Sequence, residues 1–249
     1  MKAEVAVPTP EGDARAFVFT PDAGEGPWPA AILFMDAPAI RPAMFEMGER
    51  LARAGYYVLL PDLFWRAGPY PPLDIVKAFA GDPEMGALFA RLRASTDATR
   101  QMADTSACLD WLKTQGQARP GKVGVTGYCM GGGIALRAAG TFPDRIAAAA
   151  SFHGGGQATD APDSPHLLAP RITAKVLVAG AEEDRHFDTA QCERLDSALK
   201  AAGVDAEVSI WKGAKHGWVP TDMPVYNRDA AERHWVELVG LFDGVLKAA

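Results

Sequence analysis

The stretch from Lys122 to Ala139, KVGVTGYCMGGGIALRAA, constrains this chain more than any other. An apolar run, Val123 to Thr126, passes through Gly127-Tyr128-Cys129-Met130-Gly131 into the small-residue segment Ile134 to Ala139. Gly-x-Cys-x-Gly between a strand and a helix is the context of a nucleophile elbow, with sulfur as the reactive atom. Such a turn puts its central residue into a strained backbone conformation and lifts the side chain clear of the sheet. Glycines flank it because a Cβ would clash in the tight reversal and against the helix. The N–H of Met130 opens the helix and points at the same spot, offering half of an oxyanion hole. A phosphate-binding loop is the competing reading. It would want Gly-x-Gly-x-x-Gly, or a Lys-Ser or Lys-Thr pair after the glycines, and neither is present.

The rest of the chain supplies a scaffold for that turn. Ala30 to Met35 is a continuous apolar run of strand length, and Tyr56 to Leu60, Val123 to Thr126, Ala147 to Ser151 and Val176 to Ala179 are similar. Continuous runs suit strands buried on both faces of a parallel sheet. Val5 to Val7 and Ala16 to Thr20 alternate like an edge hairpin, and Ala206 to Trp211 reads as a last strand. Helical patterns fall between them: Met44 to Ala54, Ala98 to Thr114, Gly132 to Gly140, Thr189 to Ala202 and Asp229 to Lys247. Alternation of this kind predicts an α/β fold with right-handed crossovers. The 249 residues fit one domain. Residues 67–96 are rich in Pro and Gly, and read as an irregular, lid-like excursion with a short helix around Glu84 to Arg93.

Composition narrows the function classes. A net charge of −6 argues against nucleic acid and anionic membrane surfaces as partners. No apolar run approaches a membrane span and no secretory h-region is visible at the start. Three cysteines, Cys108, Cys129 and Cys192, form no metal-ligand spacing, so no metal is expected and reduced thiols in a cytoplasmic setting are the natural reading. Cys108 and Cys192 fall on helical stripes and read as packed residues.

In an open parallel sheet, ligands bind beyond the carboxyl ends of the strands. A thiol nucleophile needs a base there, and an acid to orient the base. Asp184 follows the strand Val176 to Ala179, and His216 follows the strand ending at Trp211. Nucleophile, acid and histidine therefore come in the order Cys129, Asp184, His216, the chain order of α/β-hydrolases. Asp184 is preferred over its neighbours Glu182 and Glu183 because Phe187 can bury the turn with that carboxylate facing inward. Among the other histidines, His153 and His166 read as pocket lining or loop anchors, His186 lies beside the acidic turn, and His234 is a helix residue.

These residues resemble the dienelactone hydrolase family, the carboxymethylenebutenolidases. The likeness rests on Gly127-Tyr128-Cys129-Met130-Gly131-Gly132, Asp184-x-x-Phe187, His216-Gly217-Trp218 and Leu60-Pro61-Asp62-Leu63-Phe64-Trp65-Arg66, and spans roughly Glu4 to Leu246. The resemblance implies an α/β-hydrolase fold, a mostly parallel central sheet with helices on both faces. It implies a Cys129–His216–Asp184 triad opening lactones or small esters through an acyl-thioester, with no metal or organic cofactor. The oxyanion hole would be the N–H groups of Ala37 and Met130. Asp36 stands where the family carries a thiol-modulating Glu. Val219 and Pro220 stand where relatives acting on dienelactone carry a carboxylate-binding arginine, leaving Arg66 as the candidate carboxylate partner. Phe64, Trp65, Phe152 and Trp218 are the candidate walls of a more apolar pocket. Two other functions fit the same residues: a non-catalytic small-molecule-binding protein on this scaffold, and a redox thiol protein using Cys129.

Overall fold

The computed structural model describes residues 1–248. An antiparallel hairpin, β1 (Lys2–Thr9) and β2 (Gly12–Phe19), leads into β3 (Ala30–Phe34). Helix α1 (Pro42–Arg53) then returns the chain to β4 (Tyr57–Pro61). Residues 75–113 form three helices, α2 (Ile75–Phe79), α3 (Pro83–Ala94) and α4 (Ala98–Lys113). From there strand and helix alternate: β5 (Val123–Tyr128), α5 (Met130–Thr141), β6 (Ile146–Phe152), β7 (Lys175–Glu183), α6 (Thr189–Ala201), β8 (Ala206–Lys215) and α7 (Arg228–Phe242).

The eight strands form one sheet in the order β1-β2-β4-β3-β5-β6-β7-β8. Pairing is antiparallel from β1 through β2 to β4 and parallel from β4 onward. Every residue of β3, β4 and β5 is buried, as continuous apolar runs require of strands covered on both faces. Each predicted strand and long helix is present. Gly124 sits opposite α7, and an added Cβ there would come within 2.9 Å of both Phe242 and Leu246. Close approach of that helix to the central strand explains a glycine inside a strand. No helix among the described residues is long and apolar enough to cross a membrane.

Three segments differ from expectation. Residues 67–96 hold two helices rather than one, each capped by an aspartate: Asp74 accepts from the N–H of Lys77, and Asp82 from those of Glu84 and Met85. The shorter helix has five residues, too few to show a 3.6-residue period. Strands β7 and β8 run on to Glu183 and Lys215, so Glu182 and Glu183 end a strand instead of forming a turn. The terminal helix is α-helical only to Phe242, and Asp243–Lys247 continues as a π-turn.

Candidate active site

The elbow is built by close packing at its glycines. A Cβ on Gly127 would lie 2.0 Å from the Gly131 carbonyl oxygen, and one on Gly131 would lie 2.4 Å from that of Phe34. Both neighbours are backbone, so neither position admits a side chain. Cys129 is thereby held at φ 52°, ψ −114°, in the left-handed half of backbone space that L-residues rarely occupy. Its N–H is shared between the Phe152 carbonyl at 3.2 Å and Nδ1 of His153 at 3.1 Å. The thiol is left partly exposed at the floor of a cleft.

The sheet delivers Asp184 and His216 to the same floor. Asp184 is the first residue after β7 and His216 the first after β8. Nδ1 of His216 lies 2.7 Å from Oδ2 of Asp184, whose side chain is fully buried. The other oxygen, Oδ1, accepts the N–H of His186 at 2.8 Å. Burial works against an imidazolium at His216, but the hydrogen bond to Asp184 and the nearby sulfur of Cys129 outweigh it. Its pKa is pushed up to about 10. Cys129, Asp184 and His216 are thus brought together.

Ala37, which follows β3, and Met130, the first residue of α5, also line the cleft. Among the described residues the Ala37 N–H makes no backbone hydrogen bond, and Met130 is among the helix-start N–H groups that lack intrahelical acceptors. Two backbone N–H groups from separate elements therefore belong to the same cleft as Cys129.

The remaining expected site residues lie elsewhere. Asp36 is 2 % exposed and turned into the protein, where Arg41 claims both its oxygens, at 2.5 and 2.9 Å. A desolvated carboxylate takes the nearest guanidinium, so the contacts of Asp36 do not serve the thiol. Arg66 is not a cleft residue. It is held by Asp104 at 2.8 and 2.9 Å and by Glu11 at 2.8 and 3.0 Å, with its guanidinium over the Trp65 ring. Trp218 is fully buried beneath the site, its ring 4.8 Å from that of His153 and 5.7 Å from that of Trp211. It props His153 rather than lining the cleft. Phe64 and Phe152 are likewise inside the core, and Trp65 donates to Asp104. The apolar wall comes instead from α2, α3 and the segment before them.

Two features go beyond the sequence reading. Arg41, 1 % exposed, also binds Asp222 at 2.7 and 3.1 Å. It ties the loop carrying Ala37 to the segment after His216. Nothing local distinguishes an arginine that will be buried 181 positions from its second partner. His153, expected to line the pocket or anchor a loop, anchors the elbow itself. A left-handed φ of 40° turns its ring beneath Cys129. Burial, with the charge of His216 beside it, holds its pKa well below the usual histidine range, so it is a neutral acceptor for the Cys129 N–H.

A hydrolase sheet order, a thiol on a strained elbow and an Asp–His pair at the strand ends define an α/β-hydrolase. Comparison with known proteins is more specific. The family model for the dienelactone hydrolase family matches residues 14–246. The chain belongs to that family, and is a hydrolase of the lactone and carboxylic ester class. A relative from Methylorubrum extorquens, provisionally named a carboxymethylenebutenolidase, is 25% identical over 242 residues, covering 96% of this chain and 79% of that protein. Another so named, from Synechocystis, is 26% identical over 230 residues, covering 89% and 88%. Among solved structures, a provisionally named dienelactone hydrolase of Klebsiella pneumoniae superposes with a TM-score of 0.83 at 23% identity, over 97% of this chain and 98% of that one. That last likeness bears on the fold.

Proposed function

We propose that the protein hydrolyses lactones or esters by covalent catalysis at Cys129, with His216 as base and acid and Asp184 as its orienting partner. The proton shared between sulfur and imidazole rests on Nε2 of His216, whose pKa is about 10, as the sulfur of Cys129 attacks the substrate carbonyl carbon. The resulting oxyanion lies between the N–H groups of Ala37 and Met130. Collapse breaks the acyl C–O bond, and the imidazolium returns its proton to the leaving oxygen. In a lactone that oxygen stays tethered to the acyl group. Water, deprotonated by His216, then attacks the thioester carbon. The C–S bond breaks, and the thiol and a free carboxylic acid are released.

The observation that carries this reading is the 2.7 Å contact between His216 and a buried Asp184 beside an elbow thiol. A carboxylate on Nδ1 fixes the tautomer and stabilises the imidazolium that catalysis requires. Each oxyanion donor contributes on the order of 3 kcal/mol to such a transition state. The chain acts as one catalytic domain in which residues 67–96 overhang the cleft. A thiol nucleophile with no disulfide among the three cysteines suits a reducing, cytoplasmic compartment.

The test is turnover of p-nitrophenyl acetate with trapping of the intermediate. Wild-type protein quenched in acid should carry an acetyl group on Cys129, released by hydroxylamine. Cys129→Ala and His216→Ala should lose turnover while keeping the wild-type circular dichroism. Undiminished hydrolysis by Cys129→Ala would end the proposal.

A further inference from the structure

The cleft is far larger than a small lactone requires. Its volume is about 1210 Å³, above the range of roughly 300–1,000 Å³ that holds a drug-sized ligand. Its walls are unlike one another. Arg185 and Lys215 lie along the side that carries Asp184 and His216. Leu73, Ile75, Phe79, Met85 and Phe89, all from residues 73–89, give the same cleft an apolar wall. Phe79 is 64% exposed and Phe89 37%, although most large apolar side chains of the chain are buried. Two aromatic rings facing an active-site cleft from adjacent short helices form a surface that the fold itself leaves uncovered.

The wall also has a direction. Arg93, on the same helix as Phe89, reaches down to the sulfur of Met130 at 2.8 Å. The wall is therefore fixed over the residue whose N–H would hold the carbonyl oxygen. The leaving group must lie against His216, which protonates it. The acyl portion must extend away from the imidazole.

We infer that α2 and α3 form an acyl-binding wall, and that the substrates of this enzyme are esters or lactones with an extended apolar acyl arm lying across Phe79 and Phe89. This rests on the hydrolase reading and adds a substrate class to it. The occupant is the acyl arm because the apolar surface is continuous with the cleft floor at Met130. A second copy of the chain is the alternative occupant of exposed aromatics, and the test separates the two.

Two ester series, kept below their micelle-forming concentrations, read the wall. One lengthens the acyl chain of p-nitrophenyl esters from acetate to octanoate. The other holds the acetyl group fixed and lengthens the alcohol. A fully buried methylene is worth about fourfold in kcat/KM, and one lying on an open wall about twofold or less. Octanoate should then exceed acetate by at least about tenfold, with the alcohol series flat to within about threefold. In the Phe79→Ser/Phe89→Ser variant, the octanoate-to-acetate ratio should fall at least about fivefold. Both positions are solvent-facing, so the variant should fold. Acetate turnover with a flat acyl series would overturn the wall and leave the hydrolase reading standing. A chain-length gain in the alcohol series alone would do the same, as would an unchanged ratio in the variant. A dimer in sedimentation velocity that the double variant dissolves would give these rings to the second copy and overturn the proposal. Absence of turnover on every ester would bring down both readings together.

Discussion

Arg41 donates to both carboxylate oxygens of Asp36, at 2.5 and 2.9 Å, inside a protein that leaves the two side chains 1% and 3% exposed. The same guanidinium holds Asp222, at 2.7 and 3.1 Å. Asp36 immediately precedes Ala37, and Asp222 lies six residues beyond His216. One buried cation thus couples the loop bearing Ala37 to the loop bearing His216, the oxyanion donor and the base of the proposed mechanism. Burial works against the Arg41 charge, and the two carboxylates outweigh it. Arg41→Met should destabilise the fold by about 3–5 kcal/mol, because it strands the Asp36 charge away from water. Asp222→Asn should cost about 1 kcal/mol or less, since Asp222 is a third exposed and its half of the pair is screened. Urea unfolding of the two variants checks the ranking; equal losses would mean that Asp36 is not the dominant partner.

Asp184→Asn tests the orienting acid apart from the base. An amide of the same shape keeps the hydrogen bond to the histidine but favours the wrong tautomer and gives no charge to the imidazolium. A fall in kcat of about 10³- to 10⁴-fold is expected, with KM little changed. In the same variant the His216 pKa, followed by NMR of the imidazole, should drop well below 10, since Asp184 is the strongest influence holding it up. A pKa that stays near 10 would assign the shift to Cys129 instead.

How much of this was legible beforehand follows the range of the interactions. The elbow, the strand runs and the triad order are local or periodic patterns, and the fold places Cys129, Asp184 and His216 where those patterns put them. Arg66 shows where local reading stops. Its position after β4 suggested a substrate contact, but Asp104 and Glu11, 38 and 55 positions away, neutralise it. Asp36 is similar, since its fate depends on an arginine that nothing in the sequence marks as buried. Trp218 sits beside the histidine in sequence and beneath it in space, because Gly217 adopts φ 98° and turns the chain inward. The apolar wall was missed because α2 and α3 bury little of their own surface, and so carry no amphipathic stripe.

Gly131 is a position where stability and catalysis should fail together. A methyl group there would press on the carbonyl oxygens of Phe34 and Met35, at 2.4 and 2.6 Å. These are the last residues before the Asp36–Ala37 loop. Relief requires the start of α5 to move away from the end of β3, which separates the N–H of Met130 from that of Ala37. Gly131→Ala should therefore lower kcat by at least the loss of one oxyanion donor, about 10²-fold, in whatever fraction folds. Gly133→Ala is the control on the same helix. Its Cβ would meet only the Gly155 carbonyl oxygen, at 3.1 Å, and a much smaller loss is expected. Single-turnover rates with p-nitrophenyl acetate compare them, and equal defects would disprove the argument.

The histidines divide the pH dependence of stability into two arms. His234 is buried and neutral, with Nε2 2.8 Å from the Tyr128 hydroxyl and Nδ1 3.2 Å from the Ala231 carbonyl. Burial brings its pKa down to about 3 from an ordinary 6.5, and that of His153 falls in the same direction. Below pH 6.5 the unfolded chain takes up protons that the folded chain refuses. The contribution of these two residues is therefore complete above pH 6.5 and is lost as pH falls toward 3. His216 has the opposite sign. Its folded pKa of about 10 means that the native state keeps a proton the unfolded chain releases above 6.5. That contribution is complete below pH 6.5 and disappears as pH rises through 10. From these groups, stability should peak near pH 6.5 and decline on both sides. His216→Gln should flatten the alkaline arm alone, and His234→Gln should reduce the acid arm alone. Melting temperatures from pH 4 to 10 in a constant-ionic-strength buffer series give the measurement. An alkaline decline that persists undiminished in His216→Gln would show that the proton is held elsewhere.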